Sequence, residues 1–366
     1  MENNLQTQKA GDGAKQTQFK DCVFNVGLSE TQVDERAVSV FNELIPKALE
    51  AYTRDAYATA NERVEKLERI VLPRLAGIDG ALEHFADPAF QFVLRKAQQT
   101  AATTEREEDY ELLSELLAYH VQNSNNRKNQ AAIHKAIEIT GMIDNEALCA
   151  LTMIHAIERW DPTIGFCEQG LDVLDDLYER LMYLKLPMGT EWLDHLDTMG
   201  ALRLSYIGSM KKMVEFKSDV LNGYVCAGIL TGSEDYTEAV TILQENNLNP
   251  NAFLIKNELC ADYVRLPVSM KEDLKKIPII KNGQRFQMTP NALDALSSVW
   301  DLYCTDKHKL DEVKVKFEEL WDHHPALCKV KEWWDSIPKS FDLTQVGCVL
   351  AHTNARRYDS SLPNLE

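Results

Sequence analysis

The chain has 366 residues, 39 Lys and Arg against 57 Asp and Glu, and a formal net charge of −18. That length predicts about two domains, and a hydrophobic share of 45% with 26% charged residues excludes a disordered chain. The acidity argues against duplex DNA or RNA and against an anionic membrane surface, because both select basic proteins.

No secretory signal is expected, since the first fifteen residues are polar and hold no apolar stretch. No run of about 18 apolar residues exists, so no transmembrane helix is expected. The eight cysteines form no C-x-x-C pair and no zinc spacing. They read as buried thiols of a reduced, cytoplasmic protein.

Residues 1–28 stand apart. Turn chemistry at Gly11, Asp12 and Gly13 precedes a period-two pattern at Cys22, Phe24 and Val26. Two short strands are unstable alone in water. This piece therefore docks on its own body, pairs with copies of itself or stays disordered, and Gln16 and Gln18 suit amide ladders in a stacked assembly. The tag is also electrically neutral, with three acids and three bases.

Ser29 and Gln32 form a capping box that opens a long helix. Apolar residues follow at steps of three or four, through Phe41, Leu44, Tyr52, Val64 and Leu67 to Pro73. The stripe calls for a partner helix, from this chain or another subunit, and Pro46 should kink or divide it. Further helices are predicted at 79–85, 88–100, 107–123, 129–140, 144–160, 170–186, 191–207 and 209–221. Beyond residue 222 the texture changes. Helices at 236–246 and 250–260 precede strands at 262–266, 278–280 and 285–288, with a hairpin turn at Asn282 and Gly283. Thr289 and Pro290 start a helix over 291–303, and a strand at 341–344 leads into a helix over 345–357. The expected fold is mainly α, with a long kinked N-terminal helix, a helical body and a small C-terminal α+β winged-helix-like unit. The expected division is a self-association tag (1–28), a helical domain (29–140), an acidic helical domain (141–222), the winged-helix-like domain (223–357) and a tail (358–366).

Several clusters invite chemistry. Asp172, Asp175, Asp176 and Glu179 share one helix face, which would bind Mg²⁺ if a second acidic helix opposed it, and otherwise is a solvated face. They lie in a stretch, 144–200, with twelve acids against three bases, a net of −9 and half of the total excess. Such a surface suits a basic partner. Glu191, Asp194, His195 and Asp197, and separately His323, His324 and Cys328, have partial metal spacing, with ordinary surface helices as the plainer reading. Phe317, Trp321, Trp333, Trp334 and Phe341 would stack bases if exposed, but their helical spacing favours core packing. Arg127, Lys128 and Lys135 make a basic spot at a helix start, without the glycines of a nucleotide loop. Arg356 and Arg357 suit a helix C-terminus. Nucleophile-elbow, zinc-protease, Walker and Rossmann patterns are absent from the sequence. No catalytic residue, metal or cofactor is therefore assigned.

The Gly11-Asp12 tag with Gln16 and Gln18, followed by Gly27, Ser29 and a long helix, resembles the bacterial LPO/Vpar-type family. Three later segments are also similar to it: Leu112 to Ala118 with Asn126 to Ala132, the helix over 144–157, and the ending Leu343, Thr344, Gly347, Ala351, His352, Asn354. The ending is similar to Abi-alpha abortive-infection proteins as well. The resemblance implies a cytoplasmic bacterial protein of phage defence, and it transfers no catalytic residue. Together these readings lead to a non-enzymatic, self-assembling interaction protein. The self-association residues are Gln16, Gln18, Cys22, Phe24 and Val26, and the partner-helix face is Phe41, Leu44, Tyr52, Val64 and Leu67. Its partners would be copies of itself and a phage or host protein, with no membrane and with nucleic acid disfavoured. The alternatives are a metal-dependent effector hydrolase and a winged-helix nucleic-acid-binding regulator, the latter resting on Lys275, Lys276, Lys281 and Arg285 around the hairpin.

Overall fold

A computed structural model describes residues 30–123, 126–205, 207–281 and 284–365, with side chains from residue 50 onward except at 82 and 279–286. The tag residues Gln16, Gln18, Cys22, Phe24 and Val26 lie outside this set, as does the hairpin turn at Asn282 and Gly283. The chain divides into two units, residues 1–59 and residues 60–366. The described part of the first unit is helix α1, Glu30–Ala76, which continues into the second and runs unbroken through Pro46. The expected division at Pro46 is not made.

The second unit is mainly helical. Its helical body consists of α2 (Pro88–Thr103), α3 (Glu107–Gln122), α4 (Arg127–Thr140), α5 (Asn145–Arg159), α6 (Cys167–Leu181), α7 (Glu191–Thr198) and α8 (Met213–Val220), joined late in the chain by α12 (Lys307–Asp322), α13 (Pro325–Ser336) and α14 (Gln345–Tyr358). Their starts follow the chemistry of helix caps. Asp87, Asn126, Asp144, Asp306 and Thr344 each accept a hydrogen bond from an amide of the first turn. Arg106 serves the opposite end of α4, donating to Thr140 O at 2.7 Å and to Ile143 O at 2.6 Å.

Helix α14 packs against α3, α4 and α5, and every residue from Gly347 to Ala355 is buried. One large core follows, running from Leu67, Val71 and Leu75 of α1 through α3 and α5 to Trp321, Trp333 and Leu350. Two polar side chains inside it have their partners close by. Asn354 donates to Thr152 Oγ1 at 2.9 Å and Tyr183 Oη at 3.0 Å, and accepts from Arg357 at 2.7 Å. Lys217 is fully buried and donates to Ile157 O at 2.7 Å and Asp161 Oδ1 at 2.6 Å, so its charge is compensated on site.

Residues 229–302 form a smaller core built on α9 (Glu234–Glu245), α10 (Pro250–Phe253) and α11 (Pro290–Asp301). A three-stranded antiparallel sheet of order β2-β4-β3 belongs to it, from β2 (Ile229–Leu230), β3 (Ile255–Lys256) and β4 (Tyr263–Arg265). The hairpin of β5 (Ile279–Lys281) and β6 (Gln284–Phe286) is a sheet of its own. The third sheet pairs β1 (Leu202–Ser205) with β7 (Ser340–Leu343), from Leu202 opposite Leu343 to Ser205 opposite Ser340.

Several helix boundaries also move. The helix expected over 191–207 stops at Thr198, where Gly200 turns left-handed (φ 73°) and the chain enters β1. That expected over 250–260 stops at Phe253, because residues 255–256 pair with β4. The helix expected over 209–221 starts only at Met213.

Candidate functional site

The expected partner-helix face of α1 divides along its length. Leu67 is completely buried in the chain's own core with Val71 and Leu75, and Val64 is half-buried. Arg63, Lys66 and Arg74 hold this end by bonds to Ala102 O, Glu107 and Glu111. Leu67 thus meets its partners within the chain. Tyr52 is 71% exposed and Tyr57 68%. The side chains of Phe41 and Leu44 lie outside the described residues.

The acidic face of α6 has a structural task that its sequence does not announce. The residue before α13, His324, makes no side-chain cap of its own. Asp175 supplies the cap from the neighbouring helix, accepting from the amides of Ala326 at 2.8 Å and Leu327 at 2.9 Å. Asp172 Oδ1 stands 3.2 Å from His324 Nε2. Asp176 and Glu179 remain exposed.

The second acidic group disperses. His195 Nε2 accepts from the Asp144 amide, Asp194 pairs with Lys339, and Asp197 accepts from the Leu204 amide. His323 turns back on Glu319 O, and Cys328 stands 4.0 Å from Glu332. Among the described residues, no group of three or more His, Cys, Asp or Glu side chains is placed to hold a metal ion.

The aromatic cluster is interior. Trp321 and Phe317 are fully buried, Trp333 and Trp334 are 4% exposed, and Phe341 is at the edge of the core. Each indole N–H is taken by a carbonyl, that of Leu327, Pro187 or Lys211. These rings are therefore closed to a nucleic-acid base. At the basic spot, the Asn126 side chain occupies the amides of Lys128 and Asn129 that a phosphate would need, and Lys135 pairs with Glu138. Arg356 and Arg357 bond Asn364 and Asn354. Near the hairpin, Lys275 is exposed and Lys276 pairs with Asp273, while the side chains of Lys281 and Arg285 lie outside the described residues.

Seven cysteines, at 149, 167, 226, 260, 304, 328 and 348, are free thiols. Burial pushes the Cys149 thiol up to about 11 and those of Cys167 and Cys226 up to about 12. They pack as small apolar groups and are poor nucleophiles.

One feature escaped the sequence altogether. A cleft of about 620 Å³ opens between the loop after α5, the segment from α9 into α10, the residues after β4 and the 3-10 turn Lys271–Lys276. Each wall has a local cause. Helix α9 ends with Asn247 in the left-handed region (φ 54°) and Leu248 N bonded back to Leu243 O at 2.8 Å, which swings 247–249 across the cleft. At Gly165 a side-chain carbon would fall 2.4 Å from Pro267 O, so only glycine lets these two walls meet. Arg265, fully buried, donates to Leu266 O, Val268 O and Glu258, and so fixes the 266–268 wall from behind. Glu258 in turn accepts from the first amides of α6.

Among the described residues, the cleft lining is mostly apolar, with Leu248, Phe253, Pro267, Val268 and Ile277, and carries one acid and one base. Asp273 is 4% exposed. Ser269 Oγ donates to its Oδ2 at 3.4 Å. Lys276 Nζ lies 2.6 Å from its Oδ1, an ion-pair distance, yet is not aligned as a hydrogen-bond donor to that buried oxygen. A volume in this range, at a junction, with few convergent polar groups, is the usual form of a small-molecule site.

Comparison with curated proteins and with solved structures finds no match. A protein-family model, described only as a "-like" family, matches residues 27–363. The chain therefore belongs to that family, and a match of this extent supports the Vpar-type resemblance for nearly everything beyond the N-terminal tag.

Proposed function

We propose that this is a non-enzymatic interaction protein of the bacterial cytoplasm, acting in antiphage defence of the abortive-infection type and self-assembling through residues 1–28. The defence setting rests on the resemblance of its tag and its ending to that group. The observation that carries the interaction role is the exposed length of α1. A 47-residue helix buries Leu67, Val71 and Leu75 at one end, while Tyr52 of the stripe, and Tyr57 off it, stand in solvent. Large aromatic side chains at such exposure suit recognition better than folding. A kink at Pro46 would set the angle at which the helix meets its partner. The partner is a second copy, or a phage or host protein.

The test is deletion of residues 1–28 with mass measured by light scattering, together with phage challenge of cells carrying the full or shortened gene. A smaller assembly and lost protection are expected. An unchanged mass removes the role given to the tag, and equal phage sensitivity with and without the gene removes the defence role.

The winged-helix-like reading of residues 223–357 is favoured by one observation, the β5–β6 hairpin leading into α11 behind the exposed Lys275. Salt-titrated binding of duplex DNA tests it, with sequence-dependent affinity expected. Weak binding without sequence preference would end it.

A further inference from the structure

The cleft beside the 3-10 turn carries an inference independent of the role proposed for α1. Its chemistry is specific. Asp273 is an acid buried to within 4% of its surface, held in place by Ser269, with Oδ1 lacking an aligned donor. A buried carboxylate oxygen in that condition favours a cationic N–H donor. Lys276, one turn on, sits at ion-pair distance on an exposed stem. A ligand ammonium that takes Asp273 releases the Lys276 ammonium, which then needs an anion. One molecule satisfies both demands when its cation and anion are two or three bonds apart. The remaining wall, Leu248, Phe253, Pro267 and Ile277, is apolar.

We propose that this cleft binds a free apolar α-amino acid, with the α-ammonium on Asp273, the α-carboxylate on Lys276 and the side chain against Phe253 and Ile277. The exposed Asn247 and Asn249 at the rim add amide N–H groups for the carboxylate. Among the described residues the lining holds one lysine and no glycine-rich turn for phosphates, which does not suit a nucleotide. Nor does it suit a cation alone, since a single carboxylate already faces a lysine.

The experiment uses the full chain and isothermal calorimetry with leucine and phenylalanine, backed by thermal shift with each standard amino acid at about 10 mM. Leucinamide lacks the carboxylate, and N-acetyl-leucine lacks the ammonium. Each is expected to bind at least about tenfold more weakly than leucine, the ratio that loss of a charge-assisted hydrogen bond gives. Asp273→Asn should weaken leucine by the same factor. Lys276→Met, at an exposed position, serves as the second variant where Asp273→Asn lowers the yield of folded protein, and is expected to lose leucine affinity while still giving a cooperative urea transition. The proposal is overturned if no amino acid raises the melting temperature, if N-acetyl-leucine or a leucine-ended peptide binds as well as leucine, or if Lys276→Met keeps wild-type affinity.

Discussion

Helices α1 and α14 are both weakly amphipathic, for opposite reasons. Helix α14 is buried all round from Gly347 to Ala355, so it has no solvent face to contrast with a core face. Of α1, the described stretch before Leu67 is largely in solvent, and only its last turns enter a core. The length of an apolar stripe therefore does not report burial. What separates the two is the company they keep: α14 meets α3, α4 and α5, whereas α1 is tied down by ion pairs and three apolar side chains near its end.

Substitutions can break this comparison, and the strongest acts on α14. Asn354→Leu keeps the volume but strips Thr152, Tyr183 and Arg357 of a buried partner. A loss of about 4 kcal/mol is expected in urea unfolding, from two or more unsatisfied groups at about 1–3 kcal/mol each. At the anchored end of α1, Leu67→Ala leaves a cavity beside Val71 and Leu75 and should cost about 3 kcal/mol by the same measurement. A loss below about 1 kcal/mol at both sites would mean that neither helix is as deeply built in as described.

Acid should act through α14 before it acts on α1. His352 of α14 and His155 of α5 face each other, Nδ1 to Nε2, at 3.3 Å. Burial lowers His155 to about 3, aided by His352 and Arg159, and lowers His352 to about 4, aided by Arg356. Folded-state values below the unfolded value of about 6.5 mean that the unfolded chain binds more protons in acid. Stability from this pair is thus full above pH 6.5 and declines as the pH falls from there toward about 3. Urea midpoints at stepped pH values should trace that decline, and His352→Leu should make it shallower, with His155 and His120 still lowered by burial. The smallest effect is expected at the free end of the comparison. Tyr52→Ala should change stability by no more than about 0.5 kcal/mol while weakening any association measured by light scattering.

Much of the helical architecture was readable because its signals are local. Asp87 before Pro88, Thr289 before Pro290 and Thr344 before α14 act as caps in the structure as their chemistry predicts. What escaped was non-local. Strand β1 exists because Leu202 to Ser205 meet Leu343 to Ser340 near the other end of the chain, and no periodicity within 199–207 announces that. Asp175 caps a helix that begins at Pro325, a pairing invisible on α6 itself. The cleft is harder still, since it draws on four separated segments and its one buried acid, Asp273, looks like any surface residue in the run 271–276. Conversely, the interior place of Trp321, Trp333 and Trp334 followed from helical spacing alone.

The position of α14 in the chain has a temporal consequence. Every helix it packs against, α3, α4 and α5, is synthesised before it. During translation those helices emerge with an unfilled groove where Leu350, Ala351 and Ala355 belong. The body closes only when α14 leaves the ribosome, so the groove over α3, α4 and α5 stays exposed to chaperones and proteases until then.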